Sequence, residues 1–262
     1  MTASGPSSTP TAPADGPAAA PGRPGPWLVG RPLPVAPGRN LYCFPHSGGS
    51  AGEYVRWGRD LPGTQVYGIG LPGRAGRAAE PALTRLDDLV NALLDATSFA
   101  APYVLFGHSL GALVAYEVTR ELAARGRPLP ERLVVSAFAA PHLPRDAPRL
   151  HERPDAELAA ALIDRYGGIP RQVARDPELM ALFLPAFRAD LTLLENYVHR
   201  PGAPVPVPIE VFGGDTDVVT ADQLRLWSRH SSVSTRLRLF RGGHFYFRDD
   251  SEPLLSALDA LL

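Results

Sequence analysis

The sequence has a single cysteine, Cys43, among 262 residues. No disulfide can form within such a chain, and this usage is typical of proteins from a reducing cytoplasm. It also has no lysine: all 26 basic residues are arginine, and they nearly balance 27 acidic residues, which leaves a net charge of −1. Because proteins that bind nucleic acid are usually strongly basic, we expect no nucleic-acid partner.

Long apolar runs are missing as well. No stretch of 18 consecutive apolar residues occurs, so we expect no membrane span. No basic segment followed by an apolar one opens the chain, so no secretion signal is seen and a cytoplasmic protein is predicted. Instead, residues 1–26 are almost all Pro, Ala, Gly, Ser and Thr, which predicts a disordered tail. Residues 27–262 are predicted to form one domain.

Apolar segments with the length of buried strands alternate with segments of helical periodicity over most of this domain. The predicted strands are 40–44, 64–69, 103–106, 133–137, 209–212 and 235–240. The predicted helices between and after them include 51–59, 112–125 and 252–262. This alternation predicts an α/β fold, in which helices cover both faces of a mostly parallel central sheet.

The segment from about 145 to 203 interrupts the alternation. It contains two predicted helices, 155–166 and 176–198, and no convincing strand. Pro185 falls inside the second helix and is expected to kink or divide it. The apolar stripe of that helix, at i, i+3 and i+4 spacing, consists of Leu179, Leu182, Phe183, Phe187, Leu191, Leu194 and Val198. A long helical insert of this kind is typical of a lid over a site, and simple packing on the sheet is the alternative.

The most informative motif, G-x-S-x-G, covers residues 107–111. It follows the predicted strand 103–106 and precedes a predicted helix, which is the strand–turn–helix context that this motif needs. The sharp turn leaves room only for glycine two residues before and after the serine. It lifts the serine hydroxyl out of the sheet and points the next amide at a bound carbonyl. Ser109 is therefore the predicted nucleophile, and a glycine-rich turn with an idle serine is the alternative.

A serine hydroxyl needs a base within hydrogen-bond reach, and that base needs an acid that orients it. In enzymes with this turn, the acid and then the histidine follow the serine along the chain. His244 comes after the last predicted strand and follows two glycines, so it is the predicted base. The other histidines downstream of the serine lack this context: two lie in or near the insert, one ends a helix, and one lies on a helix expected to be exposed, namely His142, His151, His199 and His230.

Two aspartates follow the preceding predicted strand. Asp217 is the predicted acid, because it lies at the tip of the loop after Gly214 and leaves room for one helix and one strand before His244. Asp215 is the alternative acid. If Asp217 is the acid, we expect Asp215 to form an Asx-type turn that holds the loop.

An oxyanion hole needs two N–H donors. The amide of Leu110 directly follows the serine, and the loop after the first core strand is placed to supply the second donor, for which we choose the amide of Ser47. His46 and His108 lie in these two loops and are expected to pack there rather than to contact substrate. We expect no cofactor and no metal at this site.

The order of these loops along the chain is itself a signature. The stretches that carry it are Phe44-Pro45-His46-Ser47-Gly48-Gly49-Ser50-Ala51, Leu71-Pro72-Gly73-Arg74 with Arg77 and Glu80-Pro81, Gly107-His108-Ser109-Leu110-Gly111, Pro185-Ala186-Phe187-Arg188-Ala189-Asp190 and Gly242-Gly243-His244-Phe245. In this order they resemble the type II thioesterases of polyketide and nonribosomal peptide biosynthesis, in the α/β-hydrolase superfamily. The resemblance covers about residues 27–262, and the family pattern does not require the tail.

The resemblance implies an α/β-hydrolase fold whose insert is a flexible helical lid. It implies a stand-alone enzyme that hydrolyses acyl groups from the phosphopantetheine thioester of acyl or peptidyl carrier proteins, and so clears stalled or wrongly primed chains from an assembly line. The implied catalytic residues are Ser109, Asp217 and His244, with oxyanion amides near Ser47 and at Leu110. The implied partner is a carrier protein, and we expect the enzyme itself to be a monomer.

Docking of a carrier protein calls for positive surface, because carrier proteins tend to be acidic around their modified serine. Four arginines lie in segments that are predicted near the mouth of the site: Arg56, Arg59, Arg74 and Arg77. The alternative for these residues is that they are ordinary solvated arginines with no partner protein.

Three other functions are compatible with the same motifs. A carboxylesterase shares the fold, but its loop after the first core strand has a run of glycines after histidine, whereas this chain has His46-Ser47-Gly48-Gly49. A terminal thioesterase domain would release or cyclise a finished chain; the initial methionine and the lack of a carrier domain favour a free-standing enzyme. A binding module without activity is disfavoured, because the predicted nucleophile, acid and base are all present: Ser109, Asp217 and His244.

Overall fold

A computed structural model describes residues 25–31, 33, 36–145, 149–166, 173 and 175–262. Residues 1–24, most of the predicted tail, lie outside the described residues, so the disordered tail stays a prediction. Within the described residues, no helix combines the length and the apolarity needed to cross a bilayer.

Seven strands of the described residues form one sheet in the order β1-β3-β2-β4-β5-β6-β7. They are β1 (Leu28–Gly30), β2 (Arg39–Phe44), β3 (Thr64–Ile69), β4 (Tyr103–His108), β5 (Arg132–Ser136), β6 (Ile209–Gly214) and β7 (Thr235–Phe240). Neighbouring strands are parallel throughout, except that the short edge strand β1 runs antiparallel to β3. The predicted α/β class with a mostly parallel sheet is confirmed, and β1 was not predicted.

The α-helices of the described residues are α1 (Ala51–Val55), α2 (Leu86–Ala96), α3 (Leu110–Ala124), α4 (Asp155–Tyr166), α5 (Pro177–Glu195), α6 (Ala221–Arg225) and α7 (Glu252–Asp259). Shorter 3₁₀ turns lie at Arg56–Arg59, Ala75–Arg77, Leu150–Glu152 and Leu226–His230. The helix predicted over 51–59 is thus an α-helical turn that continues as a 3₁₀ turn. Such tightening is common where a helix ends.

The central strands of the sheet are buried on both faces, and β4 shows how the sequence achieves this. Its residues 103–106 are apolar without a break because successive side chains point to opposite faces, and both faces are covered. Tyr103 and Leu105 pack in the core that contains α2 and α3, whereas Val104 and Phe106 pack in the core that contains α1 and α7. The central position of β4 therefore places its carboxyl end, and the residue that follows, at the middle of one sheet edge.

The predicted insert contains α4 and α5, which share a small apolar core of their own. Pro185 lies inside α5 without dividing it, since the helix is continuous from Pro177 to Glu195. The predicted apolar stripe is partly wrong. Leu182 is 75% exposed, whereas Phe187 is buried as predicted; Met180 and Leu184, which the predicted stripe did not include, form the buried face with it.

Candidate active site

Ser109 alone makes the connection between β4, which ends at His108, and α3, which begins at Leu110. Its φ of 54° and ψ of −120° are rarely adopted by residues with a side chain. The Ser109 amide donates a hydrogen bond to the carbonyl oxygen of Ser136 on β5, at 2.8 Å. This bond holds the strained turn at the carboxyl edge of the sheet.

Both glycines of the motif are required by the close packing of this turn. A Cβ on Gly107 would overlap the carbonyl oxygen of Gly111. A Cβ on Gly111 would overlap the carbonyl oxygen of Phe44 at the end of β2. The second contact packs the first turn of α3 against β2, so the loop that follows β2 lies beside Ser109.

His244 lies in the loop after β7, and its two ring nitrogens face two different side chains. Nε2 lies 3.0 Å from Oγ of Ser109, and Nδ1 lies 3.0 Å from Oδ2 and 3.1 Å from Oδ1 of Asp217. The side chain of His244 is 8% exposed and that of Asp217 is 0% exposed. With the proton on Nδ1 donated to Asp217, Nε2 is left to accept the proton of the Ser109 hydroxyl. The structure therefore brings together the three side chains that nucleophilic attack by a serine needs.

Asp215, the alternative acid, faces backbone rather than the ring of His244. Its carboxylate accepts a hydrogen bond from the amide of Gly242 at 2.8 Å. Its own amide donates to the carbonyl oxygen of Phe240, also at 2.8 Å. Asp215 thus attaches the loop after β6 to the loop that carries His244, while Asp217 contacts the ring itself.

The two predicted oxyanion amides lie on the loops that flank Ser109. Since β2 and β4 are adjacent and parallel, with Phe44 opposite Gly107, the loops after them leave the sheet side by side. Ser47 lies in the first of these loops. Leu110 is the first residue of α3, and the first amides of an α-helix have no partner within the helix. Their role as oxyanion donors stays a prediction.

Two buried histidines lie beside His244. Nδ1 of His46 lies 3.1 Å from the hydroxyl of Tyr54, and Nδ1 of His108 lies 2.9 Å from the hydroxyl of Ser136. Burial, together with nearby positive groups, lowers the pKa of His46 to about 3 and holds the pKa of His108 well below its ordinary value. Both rings are therefore neutral at neutral pH and do not oppose a positive charge on His244.

Ser136 and Tyr246 take part in this arrangement, although no sequence pattern singled them out. The hydroxyl of Ser136 lies 2.8 Å from that of Tyr246, in addition to its contact with His108. Because Tyr246 follows His244 by two residues, these bonds attach the loop of the histidine to the end of β5. A serine at the end of a strand carries no distinctive signal, so only the fold identifies it.

His230 was predicted on an exposed helix, and this prediction is wrong: it is 6% exposed. Its Nδ1 lies 2.9 Å from the hydroxyl of Tyr116, and its Nε2 lies 2.7 Å from Nδ1 of His142. The ring of His199 lies 5.3 Å from that of His230. Burial lowers the pKa of all three histidines, that of His230 to about 4.

Across the part of the chain that the structure describes, no group of three or more His, Cys, Asp and Glu residues is placed to hold a metal ion.

Two of the four arginines considered for docking are neither solvated nor available to a partner. Arg74 is 10% exposed and forms an ion pair with Asp190 on α5. Arg77 is 11% exposed and forms an ion pair with Glu80. The pair of Arg74 and Asp190 was not predicted from the sequence, although both residues lie in stretches that carry the resemblance. The two arginines that remain exposed are Arg56 and Arg59.

Comparison with known proteins identifies the family. A family model described as a thioesterase domain matches residues 39–262. The chain belongs to the thioesterase family. The thioesterase is similar in sequence to thioesterase PikA5 of Streptomyces venezuelae, with 38% identity over 214 residues, which cover 80% of this chain and 75% of the relative.

Solved structures of relatives agree in fold over nearly the whole chain. The type II thioesterase BorB from the borrelidin biosynthetic cluster is 37% identical, with a TM-score of 0.82 over 91% of this chain and 98% of BorB. The RedJ thioesterase from the prodiginine pathway of Streptomyces coelicolor is 33% identical, with a TM-score of 0.82 over 94% of this chain and 91% of RedJ. The resemblance to type II thioesterases, the α/β-hydrolase fold and the assignment as a hydrolase of thioesters are confirmed.

Proposed function

We propose that this thioesterase hydrolyses acyl groups from the phosphopantetheine thioester of acyl or peptidyl carrier proteins. It would thereby remove stalled or wrongly primed chains from an assembly line for a polyketide or a nonribosomal peptide. Its similarity to BorB and RedJ, from the borrelidin and prodiginine pathways, supports this class of substrate. The observation that carries the mechanism is the 3.0 Å distance between Nε2 of His244 and Oγ of Ser109.

In the first half of the reaction, Nε2 of His244 takes the hydroxyl proton of Ser109 while Oγ attacks the carbonyl carbon of the thioester. The carbonyl oxygen becomes an oxyanion, which the amides of Ser47 and Leu110 stabilise; each donor is worth about 10²–10³ in rate. When this intermediate collapses, the C–S bond breaks and His244 gives its proton to the departing pantetheine sulfur. The acyl group remains on Ser109 as an ester.

In the second half, a water molecule replaces the thiol. His244 takes a proton from the water, whose oxygen attacks the acyl ester, and the same two amides stabilise the new oxyanion. His244 then returns the proton to Oγ of Ser109, and the free carboxylic acid leaves. Throughout, Asp217 fixes the tautomer of the imidazole and stabilises its charged form, and it does so strongly because its carboxylate is shielded from water.

We also propose that the exposed Arg56 and Arg59 contribute to docking of an acidic carrier protein. Attraction between exposed charges is screened by salt. We therefore expect kcat/KM for a carrier-bound acyl group to fall as ionic strength rises, and kcat/KM for a small acyl thioester to stay constant. Equal salt dependence for the two substrates would contradict this docking mode.

The proposed substrate class can be tested by measuring the masses of loaded carrier proteins. Carriers that bear acetyl, propionyl, longer acyl or aminoacyl groups are incubated with the wild-type enzyme and with Ser109→Ala. We expect the wild type to return one or more of them to the free-thiol form, and Ser109→Ala to leave every acyl group in place. Carriers that all stay loaded, while a small oxygen ester is hydrolysed rapidly, would instead favour the carboxylesterase alternative.

A further inference from the structure

Asp190 of α5 and Arg74, in the loop after β3, form a buried ion pair across 116 residues of sequence. Nη1 of Arg74 donates to Oδ2 of Asp190 at 2.7 Å, and Nη2 donates to Oδ1 at 2.5 Å. Two such bonds fix the relative orientation of the two groups as well as their distance. The side chain of Arg74 is 10% exposed and that of Asp190 is 3% exposed. The pair therefore attaches the insert helix to the loop after β3 at a defined position.

The same ion pair also contacts the loop that carries Ser47. Oδ2 of Asp190 accepts a hydrogen bond from the amide of Gly48 at 2.8 Å, and Nη1 of Arg74 lies 3.4 Å from the carbonyl oxygen of Gly49. The amide of Gly48 belongs to the planar peptide unit that contains the carbonyl of Ser47. Asp190 thus fixes the peptide directly next to the amide that is predicted to stabilise the oxyanion.

Phe187 also contacts Gly48. It precedes Asp190 by three positions and therefore lies on the same side of α5 as Asp190. Its ring lies so close to Gly48 that any Cβ there would overlap it, and the φ of +73° at Gly48 is one that side chains rarely adopt. Phe187 also belongs to the apolar core of the insert. Any shift of α5 therefore displaces both a ring and a carboxylate from Gly48.

Stability alone gives little reason for this pair. Desolvation cancels much of the attraction within a buried ion pair, and apolar side chains of similar volume are often equally stabilising. An apolar pair, however, would leave the amide of Gly48 without its acceptor. What Asp190 and Arg74 supply is a fixed direction for one peptide of the loop.

We propose that Asp190 and Arg74 are a positioning pair for the oxyanion hole, which makes the rate of acylation depend on the docked position of the insert helix. This inference rests on the proposed serine mechanism with Ser47 as a donor. With α5 docked, the carboxylate of Asp190 holds the peptide between Ser47 and Gly48. With α5 displaced, the amide of Ser47 loses the position in which it stabilises the oxyanion.

Asp190→Asn tests the pair, because it keeps the size of the side chain and removes its charge. We expect kcat for a small acyl thioester to fall by about tenfold or more, with KM within about threefold of wild type. An acyl trifluoromethyl ketone, which forms an oxyanion adduct with the serine, should lose affinity by about the factor by which kcat/KM falls. Arg74→Lys keeps the charge but not the two-bond geometry, and we expect a loss of about three- to tenfold in both measurements.

Glu195 offers a matched control on the same helix. Its side chain is 12% exposed, and its carboxylate accepts hydrogen bonds from the amides of Leu150 and His151, at 3.0 and 3.3 Å, within the insert. Glu195→Gln weakens the insert without touching the loop of Ser47. We expect it to keep kcat and the affinity for the ketone within about twofold of wild type, even if its Tm falls.

If Asp190→Asn folds and keeps the kcat and the ketone affinity of the wild type, the inference is overturned. It is also overturned if Glu195→Gln loses as much kcat and ketone affinity as Asp190→Asn. If Asp190→Asn does not fold, Arg74→Lys decides by the same two measurements, and unchanged values there overturn it. The proposed function fails differently: Ser109→Ala would then hydrolyse the small thioester as fast as the wild type.

Discussion

Asp215 and Asp217 lie two residues apart after β6, yet their carboxylates contact different parts of the same loop. Asp217 faces Nδ1 of His244 at 3.0 Å, whereas Asp215 accepts a hydrogen bond from the amide of Gly242 at 2.8 Å. One carboxylate therefore orients the ring, and the other holds the backbone that carries it. This division of roles separates two candidates that the sequence alone left open.

The first prediction concerns these two aspartates. Asp217→Asn presents an amide to Nδ1 and favours the wrong tautomer of His244, so kcat should fall by about 10³–10⁴. Asp215→Asn keeps an oxygen that can accept the bond from Gly242, and kcat should fall by less than about tenfold. Steady-state kinetics with a small acyl thioester measure both. A larger loss in Asp215→Asn than in Asp217→Asn would make Asp215 the acid.

The second prediction concerns the hydroxyl of Ser136. Ser136→Ala removes the shared partner of two buried groups, Nδ1 of His108 and the hydroxyl of Tyr246. An unpaired buried polar group is costly, so we expect the free energy of unfolding to fall by about 1–3 kcal/mol in urea denaturation. Ser256→Ala, on the exposed side of α7, is the control and should change it by less than about 0.5 kcal/mol. Equal changes in the free energy of unfolding for Ser136→Ala and Ser256→Ala would mean that the bonds of Ser136 do not stabilise the fold.

The third prediction is a loss of stability in mild acid. Burial lowers the pKa of His46 to about 3 and that of His230 to about 4. Below the ordinary histidine pKa of about 6.5, the unfolded chain binds protons that the folded chain does not. The free energy of unfolding should therefore have its full value above pH 6.5 and decrease as the pH falls toward 4.

Urea denaturation at pH 7.5, 6 and 5 measures this decrease. His230→Gln should reduce the difference between pH 7.5 and pH 5, because it removes one of the groups that takes up a proton on unfolding. A free energy of unfolding that is the same at pH 7.5 and pH 5 in the wild type would contradict the neutral state of these buried histidines.

The central strands were predictable because they are buried on both faces, whereas β7 is buried only in part. β3 and β7 have the predicted bounds of 64–69 and 235–240, since each is a run of strand-forming residues between turn residues. The edge strand β1 has only three residues, which is too short for any alternation to show. Its pairing with β3 is fixed by tertiary contacts rather than by local pattern.

The buried face of α5 was only partly predictable, because apolar residues occur on more than one side of this helix. Leu182 and Leu184 fit helical periodicity equally well, yet Leu182 is 75% exposed and Leu184 is 6% exposed. The position of α4 decides which side is covered, and periodicity within one helix carries no information about it.

The fourth prediction uses this contrast between neighbouring leucines. Leu184→Ala leaves a cavity in the core of the insert and should lower its stability by about 2–5 kcal/mol. Leu182→Ala, two residues away on the same helix, should change it by less than about 0.5 kcal/mol. Hydrogen exchange of the α5 amides measures both. Similar exchange rates in the two variants would contradict the packing of α4 against α5.

The chemistry of the site was predictable where a motif fixes the geometry. It was unpredictable where segments far apart in the sequence meet. Ser109 and His244 each follow a strand and lie beside glycines, so their positions could be derived from the sequence. The contact of Arg74 with Asp190 joins residues far apart in the chain, and neither residue type marks its partner. The burial of His230 likewise depends on Tyr116 of another element, α3.

The central claim is that Ser109 attacks the thioester carbon, and the most direct measurement is the mass of the Ser109 peptide in an acid-quenched reaction with an acyl-loaded carrier protein. We predict one acyl group on Ser109 at early times, and neither this adduct nor release of the acyl group with Ser109→Ala. An acyl group mapped to another residue, or release by Ser109→Ala at the wild-type rate, would contradict the account.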